Sequence, residues 1–179
     1  MANTIQRTIL QDSARHVTMH YWFQSDGSGD LVNEVVIDPQ VDFQNSTFQP
    51  MGATLAVEEL WWDSASIFGA SFSALLFFDA PTPQYIWSLG ASPGDTNICF
   101  EEFGGIKDKT GIDGTGKLLI STKGLVDLSA QGSLIVTCKK YNRPVSQYPM
   151  GAIGGPVSES NNDLEVPNLA SGLFSGGNG

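Results

Sequence analysis

From Arg15 to Phe23 the chain reads RHVTMHYWF, with apolar and polar positions in alternation. On a strand, Val17, Met19, Tyr21 and Phe23 share one face, and His16, Thr18, His20 and Trp22 share the other. The turn-rich QSDGSGD and a second apolar run, LVNEVVID, follow. Two such runs around an Asp-Gly turn predict a hairpin. Further strand-like runs are ATLAVEELWW, SFSALLFFD, QYIWSLG, TNICFEEF, KLLISTK and GSLIVTCKKY. Gly, Pro, Asn, Asp and Ser cluster between them, and no window carries a capped 3.6-residue period. The pattern predicts an all-β fold, a β-sandwich or jelly-roll of about eight antiparallel strands, with no helix beyond about three turns.

One run breaks its own alternation. In ATLAVEELWW, Leu55 and Val57 share a face, and strict parity then puts Glu59 inside, which is costly for a charge. A bulge at Glu58-Glu59 shifts the register, so that Val57, Leu60 and Trp62 point inward and Trp61 points out. The run ALLFFD raises the same problem, because Leu75 and Phe77 oppose Leu76 and Phe78. Strands apolar on both faces are strands covered on both faces. A chain of this length has little spare material for a second cover, which points to a partner and makes Trp61 an interface residue.

The character changes after Tyr141. Residues 142–179 carry four prolines and seven glycines without periodicity. They read as an extended C-terminal arm following a β-sandwich domain at 1–141. Isolated apolar residues punctuate the arm: Met150, Ile153, Leu164, Val166, Leu169, Leu173 and Phe174. Such anchors suit a segment that orders against a neighbouring subunit, and Leu164, Leu169, Leu173 and Phe174 join Trp61 as expected interface positions.

Composition sharpens this picture. The 179 residues are 41% apolar but only 16% charged, below the usual quarter. The net charge is −10, and no Lys or Arg occurs between His16 and Ile106. A surface of that sign repels phosphate backbones, which argues against direct nucleic-acid binding and suits a basic protein partner. The N-terminal MANTIQRTILQDSARHV lacks the apolar stretch of a signal peptide, and no run approaches the ~18 apolar residues of a membrane span. Cys99 and Cys138 read as free thiols, with a disulfide open to them only if their strands are neighbours.

The motifs that could carry chemistry do not mature into sites. GIDGTGKL at 111–118 resembles a phosphate loop, but Leu118 stands where Ser or Thr is needed, and a strand-like run follows instead of a helix. His16 and His20 are four apart on a strand, about 13 Å, too far to share a metal. Asp26, Ser28 and Asp30 have the spacing of a calcium loop without its distal Glu, since Ile37 occupies that position. Glu58-Glu59 and Glu101-Glu102 are adjacent on strands and face opposite ways. The expectation is a protein with no catalytic residue, cofactor or metal.

The order QDSARHVTMHYWFQSDGSGD, VDFQ, LAVEELWWDSAS, ALLFFDA, FEEFGGIKDKTGIDGTGKLLISTKGL and SLIVTCKKY is similar to a group of small β-rich virion proteins of tailed bacteriophages. The likeness runs from Gln11 to Tyr141. It implies a non-enzymatic subunit present in many copies in the virion and assembled in the host cytoplasm. Its partners would be the major capsid protein, other virion proteins and sibling subunits, and its role capsid decoration or cement. A neck or tail component is the alternative within that class. A carbohydrate-binding module is the alternative outside it, with Trp22, Trp61 and Trp87 as a sugar-stacking platform.

Overall fold

The computed structural model describes residues 2–43, 53–66, 71–90 and 96–142. These residues form two antiparallel sheets. The first runs β1 (Thr4–Asp12), β2 (His16–Gln24), β10 (Gln131–Asn142), β4 (Ala53–Ala65) and β7 (Thr96–Cys99), with the short β8 (Ile106–Lys107) also on β4. The second runs β3 (Glu34–Ile37), β9 (Leu118–Lys123), β5 (Ser73–Phe78) and β6 (Gln84–Leu89). A single helical turn, α1 (Pro39–Asp42), follows β3 and is capped by the Asp38 side chain, which accepts from the Gln40 amide. The all-β sandwich expected from the alternation is the fold observed. The described residues hold ten strands, two more than expected.

The inner faces follow the period-2 pattern. Val17, Met19, Tyr21 and Phe23 meet Leu134, Val136 and Cys138 from the central strand, and Val57, Leu60 and Trp62 from β4. From the second sheet come Ile37, Ala74, Leu76, Phe78, Ile86, Leu89, Leu118 and Ile120. At the heart of this layer Phe23, Trp62 and Phe72 form an aromatic cluster with centroids 5.7–6.2 Å apart. Gly132 lies beneath it. A Cβ there would sit 2.5 Å from Phe23 and 2.6 Å from Trp62, so the central strand must lack a side chain where the two rings close over it.

The bulge expected in β4 is present. Thr137 of β10 faces Glu59, Cys138 faces Val57, and Glu58 is the extra residue between them. Val57, Leu60 and Trp62 are consequently buried and Glu59 is exposed. The freed Glu58 carbonyl accepts from the Phe100 amide at 2.6 Å. Close by, Gly105, at φ +78°, approaches the Val57 carbonyl where a Cβ would meet it at 3.0 Å. Trp62 donates its indole N–H to the Gly90 carbonyl at 3.0 Å, which satisfies its one polar atom.

Two expectations are corrected. β2 and β3 do not form a hairpin, because they belong to different sheets. The loop between them is claimed by the second sheet. The Asp30 carboxylate accepts from the Leu125 amide at 2.7 Å, and the Leu31 amide donates to the Thr122 hydroxyl at 2.8 Å. The edge of β2 is taken instead by β1, which periodicity did not reveal because most of its residues are exposed. The run TNICFEEF also ends sooner than expected, since Glu101–Phe103 turn into a 3-10 helix.

Charges clamp the open side of the sandwich. Lys140 is 2% exposed; it pairs with Asp12, donates to the Ser13 carbonyl at 2.8 Å and lies 4.5 Å from the Phe43 ring centre. Arg7 pairs with Asp42, which also accepts from the Asp38 amide at 2.7 Å, and Lys117 reaches Asp38 at 2.9 Å.

Trp62→Ala should lower stability by about 3–5 kcal/mol and Gly132→Ala by about 1–3 kcal/mol, read from urea unfolding midpoints. Asp12→Ala leaves the Lys140 ammonium buried without its partner and should cost about 3–5 kcal/mol in the same assay. Wild-type unfolding curves for all three would contradict the packing described above.

Candidate interaction face

The outer face of the first sheet is assembled from the positions that alternate with the core. β2 contributes His16, Thr18, His20 and Trp22. β10 contributes Ser133, Ile135, Thr137, Lys139 and Tyr141, and β4 contributes Glu59, Trp61 and Asp63. Register aligns them in rows across the strands. Ile135 stands between His20 and Trp61, Thr137 between Thr18 and Glu59, and Ser133 between Trp22 and Asp63.

Trp61 is half-buried on this outer face, as the bulge dictates. Trp22 lies on the same face two strands away and one pair-step along, about 12 Å from it by strand spacing and rise. Ile135 fills the diagonal between the two indoles. Polar cross-strand pairs hold the surrounding surface: His20 Nε2 to the Ser133 hydroxyl at 2.9 Å, Thr18 to Thr137 at 3.3 Å, and His16 to Glu58 at 3.3 Å. Half-buried aromatics framed by side chains already bonded to each other make a firm, preorganised surface.

One end of this face is basic. Ala56 pairs with both Lys139 and Lys107, which places the two lysines on one row. Their ammonium groups lie 5.5 and 5.4 Å from the centre of the Tyr141 ring. Among the described residues neither has a carboxylate partner, whereas Lys117 and Lys140 each have one.

The second sheet also bears apolar residues outward. Val35, Leu119, Phe77 and Tyr85 form a row across its four strands, with Leu75 beside them. Leu119 and Phe77 are buried, Leu75 and Val35 half-buried, and Tyr85 exposed. Both runs that sequence marked as two-faced are therefore two-faced in the fold.

The remaining expected sites distribute as follows. Leu164, Leu169, Leu173 and Phe174 lie outside the described residues, as does the arm after Asn142. The three-tryptophan sugar platform does not form. Trp87 lies on edge strand β6 of the other sheet and packs on Phe100 with ring centres 5.6 Å apart. Ser28, through its side chain first and then its amide at 2.9 Å, holds the Asp26 carboxylate pKa below the usual value, while Asp30 turns away to Leu125. Residues 111–113 form a 3-10 turn leading into β9, with no helix at the phosphate-loop position. No group of three or more His, Cys, Asp or Glu able to hold a metal occurs among the described residues. Nor is any helix among them long and apolar enough to cross a membrane.

No protein-family model matches this chain. No curated protein matches it either. Among solved structures it is similar to a chain in the acidic stable capsid structure of Helicobacter pylori bacteriophage KHP30. The two are 18% identical over 78% of this chain and 99% of that one, with a TM-score of 0.36. A likeness at that score supports neither a fold nor a function here.

Cys138 points into the core and burial pushes its thiol pKa up, while Cys99 is exposed on β7. β4 separates their strands, so the condition for a disulfide is not met. A thiol reagent should modify Cys99 in the native protein and reach Cys138 only in denaturant, with mass spectrometry of the labelled peptides as the readout. Equal labelling of both in the native state would contradict the inward placement of Cys138.

Proposed function

We propose that this chain is a non-enzymatic structural subunit of a tailed-bacteriophage virion, and specifically a decoration or cement subunit bound to the outside of the head shell. The observation that carries this reading is the outer face of the first sheet. Trp61, Ile135 and Trp22 stand there half-buried on three adjacent strands, β2, β10 and β4. A sandwich needs one apolar face per sheet. This one spends aromatics on the other face as well, which is the composition of a contact surface. Low charge content supports it, and so does the sequence resemblance from Gln11 to Tyr141.

The work of such a subunit is mechanical. Each copy would bury its outward aromatics against the major capsid protein or a sibling, in an interface of about 1,200–2,000 Å². Repetition over a lattice multiplies a modest pairwise gain into a shell that resists the pressure of packed DNA. An acidic exterior suits this position, because it neither competes for nucleic acid nor sticks to it.

The test is particle content. The protein should be found by mass spectrometry in purified particles, in a fixed ratio to the major capsid protein. Trp61→Ala should leave the free subunit's melting temperature near wild type while cutting its affinity for shells about 30-fold, the equivalent of ~2 kcal/mol. Absence of the chain from particles would end this reading. Undiminished docking of the Trp61 variant would remove the face from it.

A further inference from the structure

We infer that the outer face of the first sheet receives the acidic C-terminal segment of a second copy, residues 159–174, along β10. This rests on the structural-subunit reading above and names the partner of that face.

Three observations converge. The first is charge. The chain carries nine Lys and Arg against nineteen Asp and Glu, yet Lys107 and Lys139 converge on one tyrosine ring with no carboxylate paired to either among the described residues. Bringing two like charges together at the end of a face is unfavourable unless an anion comes to it. Beyond Arg143 the chain has no basic residue and carries Glu159, Asp163 and Glu165. The segment thus has the sign that the patch lacks.

The second is the path. The acids along β4 on the receiving face are Glu58, Glu59 and Asp63, with Glu58 engaged by His16, and at the basic end Asp108 accepts from Thr54, the partner of Tyr141. The strip over β10 between the strands is free of negative charge: Ser133, Ile135, Thr137, Lys139 and Tyr141. Lys139 and Ile135 are about 13 Å apart along that strip, and Glu159 and Leu164 are at most ~18 Å apart along an extended chain. An acid held at the lysines therefore brings Leu164 to the Ile135–Trp61 surface.

The third is where the segment starts. β10 ends at Asn142, next to Tyr141, so each arm leaves its own domain beside the patch. Residues 143–158 number sixteen, and such a stretch reaches ~50 Å when extended at about 3.1 Å per residue. That span overshoots a domain of this size, whose radius of gyration is about 14 Å. A spacer of that length is long enough to carry the acidic block to a neighbour. Two copies related by a two-fold axis would exchange arms reciprocally, each rooted beside the surface that the other occupies.

The experiment uses full-length protein, half of it isotopically heavy, mixed and treated with a zero-length carbodiimide. Peptides joining Lys107 or Lys139 to Glu159, Asp163 or Glu165 should include mixed-isotope pairs. Lys107→Glu with Lys139→Glu should weaken self-association about tenfold, as should Glu159→Lys with Asp163→Lys and Glu165→Lys, and all five together should restore it. Links confined to one isotope would show the segment docking on its own chain and overturn the exchange. Self-association without these links, or a protein monomeric at every concentration, would overturn it equally. The particle assay keeps the two readings apart. A chain found in particles but lacking mixed links loses only the exchange, and one absent from particles but exchanging arms loses only the virion role.

Discussion

Everything in the first sheet depends on one extra residue in β4. Val57 and Trp62 are five positions apart, so a regular strand would put them on opposite faces. The bulge at Glu58 lets both enter the core, and the same shift turns Trp61 outward. It also leaves the Glu58 backbone carbonyl without a ladder partner, and the Phe100 amide donates to it. That bond sits where β7 gives way to the 3-10 turn at Glu101–Phe103 and then to β8. The bulge is thereby built into the connection on its flank, and Gly105 is the close approach that this connection requires.

Around this frame the buried polar groups act as stitches between elements distant in sequence. Asp12 and Lys140 join the β1–β2 corner to the far end of β10. Arg7 and Asp42 join an edge strand of one sheet to the helical turn that ends an edge strand of the other. Tyr21 shows the opposite case: its buried hydroxyl has no hydrogen-bond partner among the described residues, and burial raises its pKa well above the ordinary phenol. It is held by packing, with Phe23 beside it at 6.2 Å.

Alternation made β2, β9 and β10 readable, because one of their faces is fully buried and period 2 follows. The bulge was readable from a conflict, since no regular register of ATLAVEELWW could keep a glutamate out of the core. β1 was not readable. TIQRTILQD has both faces largely in solvent, so burial imposes no period on it. The false hairpin arose from reading SDGSGD locally. Asp30 is bonded to Leu125, 95 positions away, and no nearby residue announces that partner. Of the outward aromatics, Trp61 followed from the strand register. Trp87 was grouped with it only by residue type, and strand order, which composition does not encode, separates them. The convergence of Lys107 and Lys139 was hidden for the same reason, as β8 is two residues long and carries no period of its own.

The two short strands have one more effect. β7 and β8 lie end to end along the same flank of β4, covering Ala56–Val57 and Glu59–Trp62 with the bulge between them. Their own outer flanks are a few residues long and offset by a turn, too broken to template a further strand. At the opposite side of the sheet, β1 presents nine residues with no strand beyond it among those described, interrupted only by the irregularity near Leu10. The sheet is therefore polar in its capacity for growth: it is terminated on one side and can be lengthened on the other. Among the described residues the template for an added strand is therefore β1, and a sheet continued through two such edges would close as a pair instead of propagating.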